Sequence, residues 1–365
     1  MLAIASCGKN KDDVAPAITP GSAQEFEQYL STEKENQDIP AMAVLLFKGN
    51  NITYEKYLGV SDKKTNTPLN SGHIFLLASV SKTVTATALM QLYEAGKFQL
   101  DDRINDYLPF RVDVPGHSAA ITFRMLLAHT SAIADGPELD NQYYYGQDSP
   151  VPLEGFMKDY LTPSGKYYNA KDNFHNFAPG TQHEYSNVGS ALIGVLVERL
   201  SGMAFDAYCR KNIFEPLGMN STYWRLSKTP AQNLVMPYDA NEEIRHYTFT
   251  DYPNGGLRST VRDMYKLLAA YSMGGSYNGV RLLQETTVNT MWQPQIQHLD
   301  ATMGLHWFVM NSANNIWGHD GAEQGVATIM GVNPDNDRGV LIFANQGDAD
   351  LDNLLLTAYN YAVKL

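Results

Sequence analysis

Cysteine is scarce: Cys7 and Cys209 are the two in a chain of 365 residues. That count excludes a disulfide-stapled scaffold and a four-thiolate zinc site. Charge is sparse as well, at 18% of residues against about 25% in an average soluble chain, while hydrophobic residues reach 44%. Disorder and a coiled coil are therefore excluded, and a compact globular chain is expected. Twenty-seven Lys and Arg stand against 39 Asp and Glu, a net charge of −12, and no basic tract tracks a phosphate backbone. Nucleic acid is not an expected partner. No stretch approaches 18 consecutive apolar residues, so no transmembrane helix is read. Gly-X-Ser-X-Gly and His-Glu-X-X-His are both missing, and the nine histidines lack metal-ligand spacing. No metal or organic cofactor is expected. The glycine-rich GGSYNG at 274–279 lacks the Lys and Ser/Thr of a phosphate loop and reads as a hairpin or loop.

The length suits roughly two domains, or one large domain with an insertion. From Ile39 the apolar run AMAVLLF is broken by GNN and followed by ITYEKYLGV, which predicts a β hairpin ahead of everything else. Residues 79–97 and 185–202 predict helices; in the second, Val188, Ala191, Leu192 and Val195 recur at helical spacing. Residues 137–180 are crowded with Tyr, Gly, Pro and Asn and predict a long loop region. Thr260 and Asp263 cap a helix starting near 261. MGLHWFV, GVATIMGV and GVLIFAN then read as strands, and a closing helix follows from about Leu351. Strands at both ends around a helical middle predict an α/β (α+β) fold. Its antiparallel sheet is built from both chain ends, and a mostly helical region is inserted at roughly 85–265.

The opening MLAIASCGKNKDD runs from apolar through small residues to Cys7 and an abruptly polar stretch, and resembles a bacterial lipoprotein signal cut before the cysteine. The apolar run is short and no basic residue precedes it, which suits a start lying inside a longer signal. An exported protein of the cell envelope is expected, anchored through lipid on Cys7, with residues 1–21 as signal remnant and tether and 22–365 as the folded domain. Cys209, in FDAYCRKNIF, reads as a buried inert thiol.

Three short motifs carry candidate chemistry. Ser79-Val80-Ser81-Lys82 sets a serine and a lysine three apart, on one face of a helix. The spacing also occurs at Ser6, Ser31 and Ser61, but Ser79 alone follows an apolar lead-in and opens a long helix. There the helix N-terminus stabilises developing negative charge, and a desolvated Lys82 loses enough basicity to take a proton. Tyr185-Ser186-Asn187 opens the second helix, offering a phenol for proton exchange and an amide for a substrate; helix capping by Ser186 or Asn187 explains the same residues. Trp317-Gly318-His319-Asp320-Gly321-Ala322 lies between predicted strands, where Gly321 permits close backbone approach and the Ala322 N–H faces an oxyanion; a plain turn is the alternative.

In this order the motifs resemble the serine β-lactamase and penicillin-binding-protein superfamily, in its class C β-lactamase, D-alanyl carboxypeptidase and esterase branch. ITFRMLLAHTSAI (121–133), FAPGTQHEYSNVGSALIGVLVERLSG (177–202), IFEPLGMNST (213–222), GGLRST (255–260), MGLHW (303–307) and GHDGAEQG (318–325) carry the resemblance across residues 22–365. It implies an acyl-enzyme on Ser79, with Lys82 and Tyr185 moving protons. Asn187, His319, Gly321 and Ala322 would contact the substrate, and the backbone N–H groups of Ser79 and Ala322 would form the oxyanion hole.

The sequence departs from the family where Lys-Thr-Gly is frequent. His319-Asp320-Gly321 replaces a permanent cation with a group of reference pKa about 6.5, charged about a quarter of the time at pH 7. Asp320 is expected to raise that pKa and to repel anionic substrates. Arg258 reads as a solvated surface arginine rather than a substitute anchor, and His129 as structural. The tyrosines of 137–175 read as one wall of the cleft, though ordinary packing accounts for them nearly as well. The expected function is hydrolysis of a small-molecule or peptide amide or ester, with esterase or D-peptidase activity preferred over efficient β-lactamase. A catalytically silent envelope binding or sensory lipoprotein of the same fold is the alternative.

Overall fold

The computed structural model describes residues 17–365 other than Asn241; Cys7 and the residues expected to form a lipoprotein signal lie outside the described residues. A helix comes first, α1 (Ala23–Asn36), then the hairpin β1 (Ala41–Lys48) and β2 (Asn51–Asp62), and the short β3 (Thr67–Pro68). A 3-10 turn at Ala78–Val80 leads directly into α2 (Ser81–Glu94). The middle of the chain holds β4 (Tyr143–Tyr145), α3 (Leu153–Leu161), α4 (Asn187–Ser201), β5 (Tyr247–Phe249) and α5 (Val261–Ser272). Four strands follow, β6 (Phe308–Asn311), β7 (Ile316–Glu323), β8 (Val326–Asn333) and β9 (Arg338–Ala344), and α6 (Asp352–Ala362) closes the chain.

Seven strands form one antiparallel sheet in the order β6-β7-β8-β9-β1-β2-β3, so the N-terminal hairpin pairs with the last strand of the C-terminal meander. The apolar run of β1 suits a strand covered on both faces. Met42, Val44 and Leu46 pack with Phe26 and Leu30 of α1 and Leu354 and Leu355 of α6. Ala43, Leu45 and Phe47 face the other way, into the large core shared with α5 and the helical region. Strand alternation thus makes a three-layer body from one sheet.

Helix α2 is buried along nearly its whole length, so its polar groups need internal partners. Thr83 and Thr87 Oγ1 donate to the carbonyls of Val80 and Thr83 at 2.8 and 2.7 Å. Thr85 Oγ1 donates to Pro253 O at 2.6 Å, and Ser81 Oγ accepts from Leu257 N at 3.1 Å. These bonds fix the helix against the 252–258 segment. The turn that precedes it is strained, since Ala78 holds a left-handed φ of 48°.

Several expectations change here. A helix precedes the hairpin: Ser22 caps α1 by accepting from Glu25 N at 3.2 Å, a Ser-X-X-Glu signal ahead of buried Phe26 and Leu30. The 137–180 region is not simply a loop, for it holds β4 and the amphipathic α3. The Trp317–Ala322 motif is not a connection between strands but strand β7 itself. Its glycines and aspartate argue against a strand locally, yet the β8 ladder supplies the pairing, and close packing at Gly321 demands the missing side chain. GGSYNG is a hairpin, with Ser276 paired to Arg281.

A Cβ at Gly321 would lie 2.7 Å from Leu77 O and 2.8 Å from Ser79 N, both backbone atoms. Gly321→Ala is therefore expected to destabilise by about 1–3 kcal/mol. Gly155, exposed in α3 with nothing within 4 Å of its added Cβ, is the opposite case. Gly155→Ala is expected to stabilise by about 0.5–1 kcal/mol, both read as shifts of the denaturation midpoint in urea.

Candidate active site

The end of the strained turn, the first turn of α2 and the start of α4 meet at one amine. Lys82 Nζ donates to Ser79 Oγ at 3.0 Å, to Asn187 Oδ1 at 2.7 Å and to Asn254 O at 2.7 Å. It also lies 4.9 Å from the centroid of the Tyr185 ring. Burial brings its pKa down to about 7, against the opposing pull of Asp135, Asp251, Glu323 and Asp320. Of the three acceptors, Asn254 O and Asn187 Oδ1 only accept, whereas Ser79 Oγ also donates. A neutral Lys82 keeps two protons on the obligate acceptors and turns its lone pair to Ser79.

The orientation of Asn187 is itself determined. Its Nδ2 donates to Asp135 Oδ2 at 2.9 Å, which leaves Oδ1 for Lys82. The same carboxylate accepts from the backbone N–H groups of Asn187 and Val188 at 2.9 and 3.0 Å, at the positive end of α4. Asp135 is open to the cleft, and the protein massed around it nonetheless raises its pKa against these donors and Lys82. Ser186 caps the helix through a bond from Gly189 N at 2.8 Å, as the capping reading of this motif expects. Tyr185 stands two residues ahead of α4 rather than inside it.

A row of neutral imidazoles backs Tyr185. His129 packs against it at a tilt with centroids 4.3 Å apart, and stacks on His306 at 4.8 Å. Ser186 N donates to His129 Nδ1 at 3.2 Å, so that nitrogen carries a lone pair. Burial and the neighbouring imidazoles and Lys82 hold His129 well below the usual histidine range. The structural role expected of His129 fits this position.

Strand β7 passes across the front of the turn. β6 pairs with β7 only as far as Gly318, so His319–Glu323 has β8 on one side and an open edge on the other. Gly321 packs against the Ser79 amide, with Ala322 next along that edge. His319 corrects an expectation: it is buried, and desolvation outweighs Asp320 and brings its pKa down to about 4, so the imidazole is neutral at pH 7. Arg258 is corrected too. It is fully buried, not solvated, donating to Gly256 O at 3.0 Å and to Tyr247 O, and it offers no anchor to a ligand.

Sequence reasoning missed Asp135, Asn254 and Glu323. Glu323 accepts from Tyr143 Oη at 3.0 Å, which brings β4 against β7 and gives the tyrosine-rich segment a place beside the edge strand. Burial raises the Glu323 carboxyl, opposed by Gln324 N–H, Tyr143 and Lys82. No group of three or more His, Cys, Asp or Glu among the described residues has an arrangement able to hold a metal ion.

Residues 26–362 match the family described as Beta-lactamase. An Escherichia coli K12 protein named "Putative D-alanyl-D-alanine carboxypeptidase" is 26% identical over 360 residues, covering 84% of this chain and 78% of that protein. Among solved structures, the octameric penicillin-binding protein homologue from Pyrococcus abyssi has a TM-score of 0.73 at 22% identity, covering 93% of this chain and 77% of that one, a likeness of fold. The penicillin binding protein from Bacillus halodurans has a TM-score of 0.70 at 26% identity, covering 89% and 97%. With a serine and a buried lysine hydrogen-bonded at the start of a helix, and a family match spanning nearly its whole length, the chain belongs to the beta-lactamase family, within the serine β-lactamase and penicillin-binding-protein superfamily.

Proposed function

We propose that the protein is a serine hydrolase that cleaves an amide or ester through an acyl-enzyme on Ser79. The observation that carries this reading is the Lys82 amine, hydrogen-bonded to Ser79 and brought by burial to about pKa 7. Neutral Lys82 takes the Ser79 proton as Oγ attacks the carbonyl carbon. The Ser79 and Ala322 N–H groups hold the oxyanion, each such donor typically contributing about 3 kcal/mol in the transition state. The proton taken up by Lys82 passes through Tyr185, beside it, to the leaving amine or alcohol, and water then releases the acyl group. Asn187 and the open edge His319–Glu323 hold the substrate. With His319 neutral, no cation replaces the family's lysine to meet a substrate carboxylate, so hydrolysis of a neutral ester is favoured over efficient β-lactam turnover, and D-peptide hydrolysis is proposed beside it from the likeness to the Escherichia coli carboxypeptidase-named protein. Export and lipid attachment at Cys7 are proposed from the sequence around that residue.

A fluorophosphonate probe is expected to label the wild-type chain once, at Ser79, and to leave Ser79→Ala unlabelled by intact mass. A wild-type chain that never reacts would favour the silent binding protein.

The pH dependence has a definite sign. Lys82 must be neutral to accept a proton, so the acylation rate is expected to rise with pH through about 7 and level off above it. Asp135 raises the Lys82 pKa and orients Asn187, which makes it a positioning residue. Asp135→Asn is expected to lower kcat/KM by about tenfold or more and to move the midpoint to lower pH. A merely structural role would leave the midpoint in place, as measured by stopped-flow acylation across pH 5–9.

A further inference from the structure

The placement of Tyr185 deepens the proposed hydrolase reading, on which this inference rests. Tyr185 stands ahead of the Ser186 cap, so α4 does not fix the direction of its ring. His129 holds the chain on both sides of it. Glu184 N donates to the His129 carbonyl at 2.9 Å, and Ser186 N donates to His129 Nδ1 at 3.2 Å. Between those two bonds the His129 ring packs on the phenol ring, with centroids 4.3 Å apart. Carbonyl, ring face and ring nitrogen of one residue thus meet Glu184, Tyr185 and Ser186 in turn.

This hold goes beyond what a helix start requires. The cap of α4 is complete without it, since the Ser186 hydroxyl serves Gly189 N–H and the Asp135 carboxylate serves those of Asn187 and Val188. It also has a conformational cost. His129 keeps a left-handed φ of 52°, and His306, which stacks on it, keeps 55°. Neighbouring bonds fix both: Thr130 N donates to Met125 O at 2.8 Å and His306 N to Leu127 O at 2.9 Å. His306 Nε2 lies 3.2 Å from Ser190 Oγ, a hydroxyl that donates to Ser186 O at 3.0 Å. Ser186 is therefore held at its N–H by one imidazole and at its carbonyl by the hydroxyl that meets the other.

We propose that His129 is a positioning residue for Tyr185, aiming the phenol beside Lys82 at the departing atom, so that reaction of substrates with poor leaving groups depends on its Nδ1. In that step the bond between the carbonyl carbon and the ester oxygen breaks, and the oxygen takes the proton that Ser79 gave up to Lys82. A leaving group that departs as a stable anion needs no such proton.

The test compares two acetate esters on the full chain, both of which form the same acetyl-Ser79. Ethyl acetate loses an alkoxide that must be protonated, whereas p-nitrophenyl acetate loses a phenolate that need not be. His129→Leu is expected to lower kcat/KM about tenfold or more with ethyl acetate and less than about threefold with p-nitrophenyl acetate. His129→Gly, which suits the left-handed backbone, should show the same selective loss where the leucine variant does not fold. His129→Asn tolerates that backbone and keeps an acceptor beside the Nδ1 position, so it should stay within about threefold of wild type with both esters. Equal losses on the two esters, or a selective loss in His129→Asn as well, would overturn the proposal and leave the hydrolase reading standing. So would a wild-type chain that a fluorophosphonate labels at Ser79 but that leaves ethyl acetate intact. If Ser79 is never labelled, both fall.

Discussion

A primary amine removed from water must either lose its charge or find an acceptor for each proton it carries. Lys82 stands at the boundary between the two. Three acceptors surround it, which suits the ammonium, while burial brings its pKa from 10.5 to about 7, which favours the amine. Between those two values the unfolded chain binds a proton that the folded chain does not, so stability rises with pH across that window. The fold carries this cost because the environment that makes Lys82 reluctant to be charged also directs its lone pair to Ser79. Remove the Asn254 carbonyl or turn the Asn187 amide, and the direction of that lone pair is lost even if the pKa is kept.

Those constraints explain why the surroundings are so rigid. Helix α2 has no solvent face along most of its length, and its threonines bond to its own backbone and to the 252–258 segment. The segment that receives Thr85 also supplies the Asn254 carbonyl, and Asp251 holds the Asn254 side chain. Ala78 keeps its left-handed backbone because Leu77 beside it donates its N–H to Leu257 O at 2.8 Å and accepts at its carbonyl from the Thr328 hydroxyl of β8 at 2.7 Å. The strain is thus held from both the helical region and the sheet. Gly321 completes the arrangement by letting β7 close on the Ser79 amide without a side chain between them.

How much of this was legible in the sequence depended on whether the deciding interaction was local. Ser79 and Lys82 stood out because the apolar lead-in and the helix that follows are consecutive in the chain. Thr260 was legible as a cap for the same reason, and its hydroxyl does accept from Asp263 N at 3.1 Å. Asp135 left no signal: it caps α4 from 52 residues away, and nothing in Ala-Asp-Gly announces a partner at Asn187. Arg258 looked solvated because arginine usually is; its burial follows from carbonyls at Gly256 and Tyr247 that only the fold brings to it. Strand β7 was hidden by its own composition, since glycine and aspartate weaken a strand locally while the β8 ladder and the packing at Gly321 require one there. The α1 helix is different, for its Ser-X-X-Glu cap was in plain view.

The acids around the site act in two ways at once. Desolvation alone would push Lys82 lower, and Asp135, Asp251, Glu323 and Asp320 oppose it, so its pKa settles where both protonation states are populated near neutrality. A lysine at position 319 would add a second cation and depress Lys82 further by Coulomb repulsion, requiring still more acid to compensate. A neutral His319 avoids that second cation and leaves the acids free to act on whatever enters the cleft. Tuning of the general base and polarity toward the substrate are therefore one electrostatic arrangement here. A charge introduced at His319 cannot alter the second without moving the first.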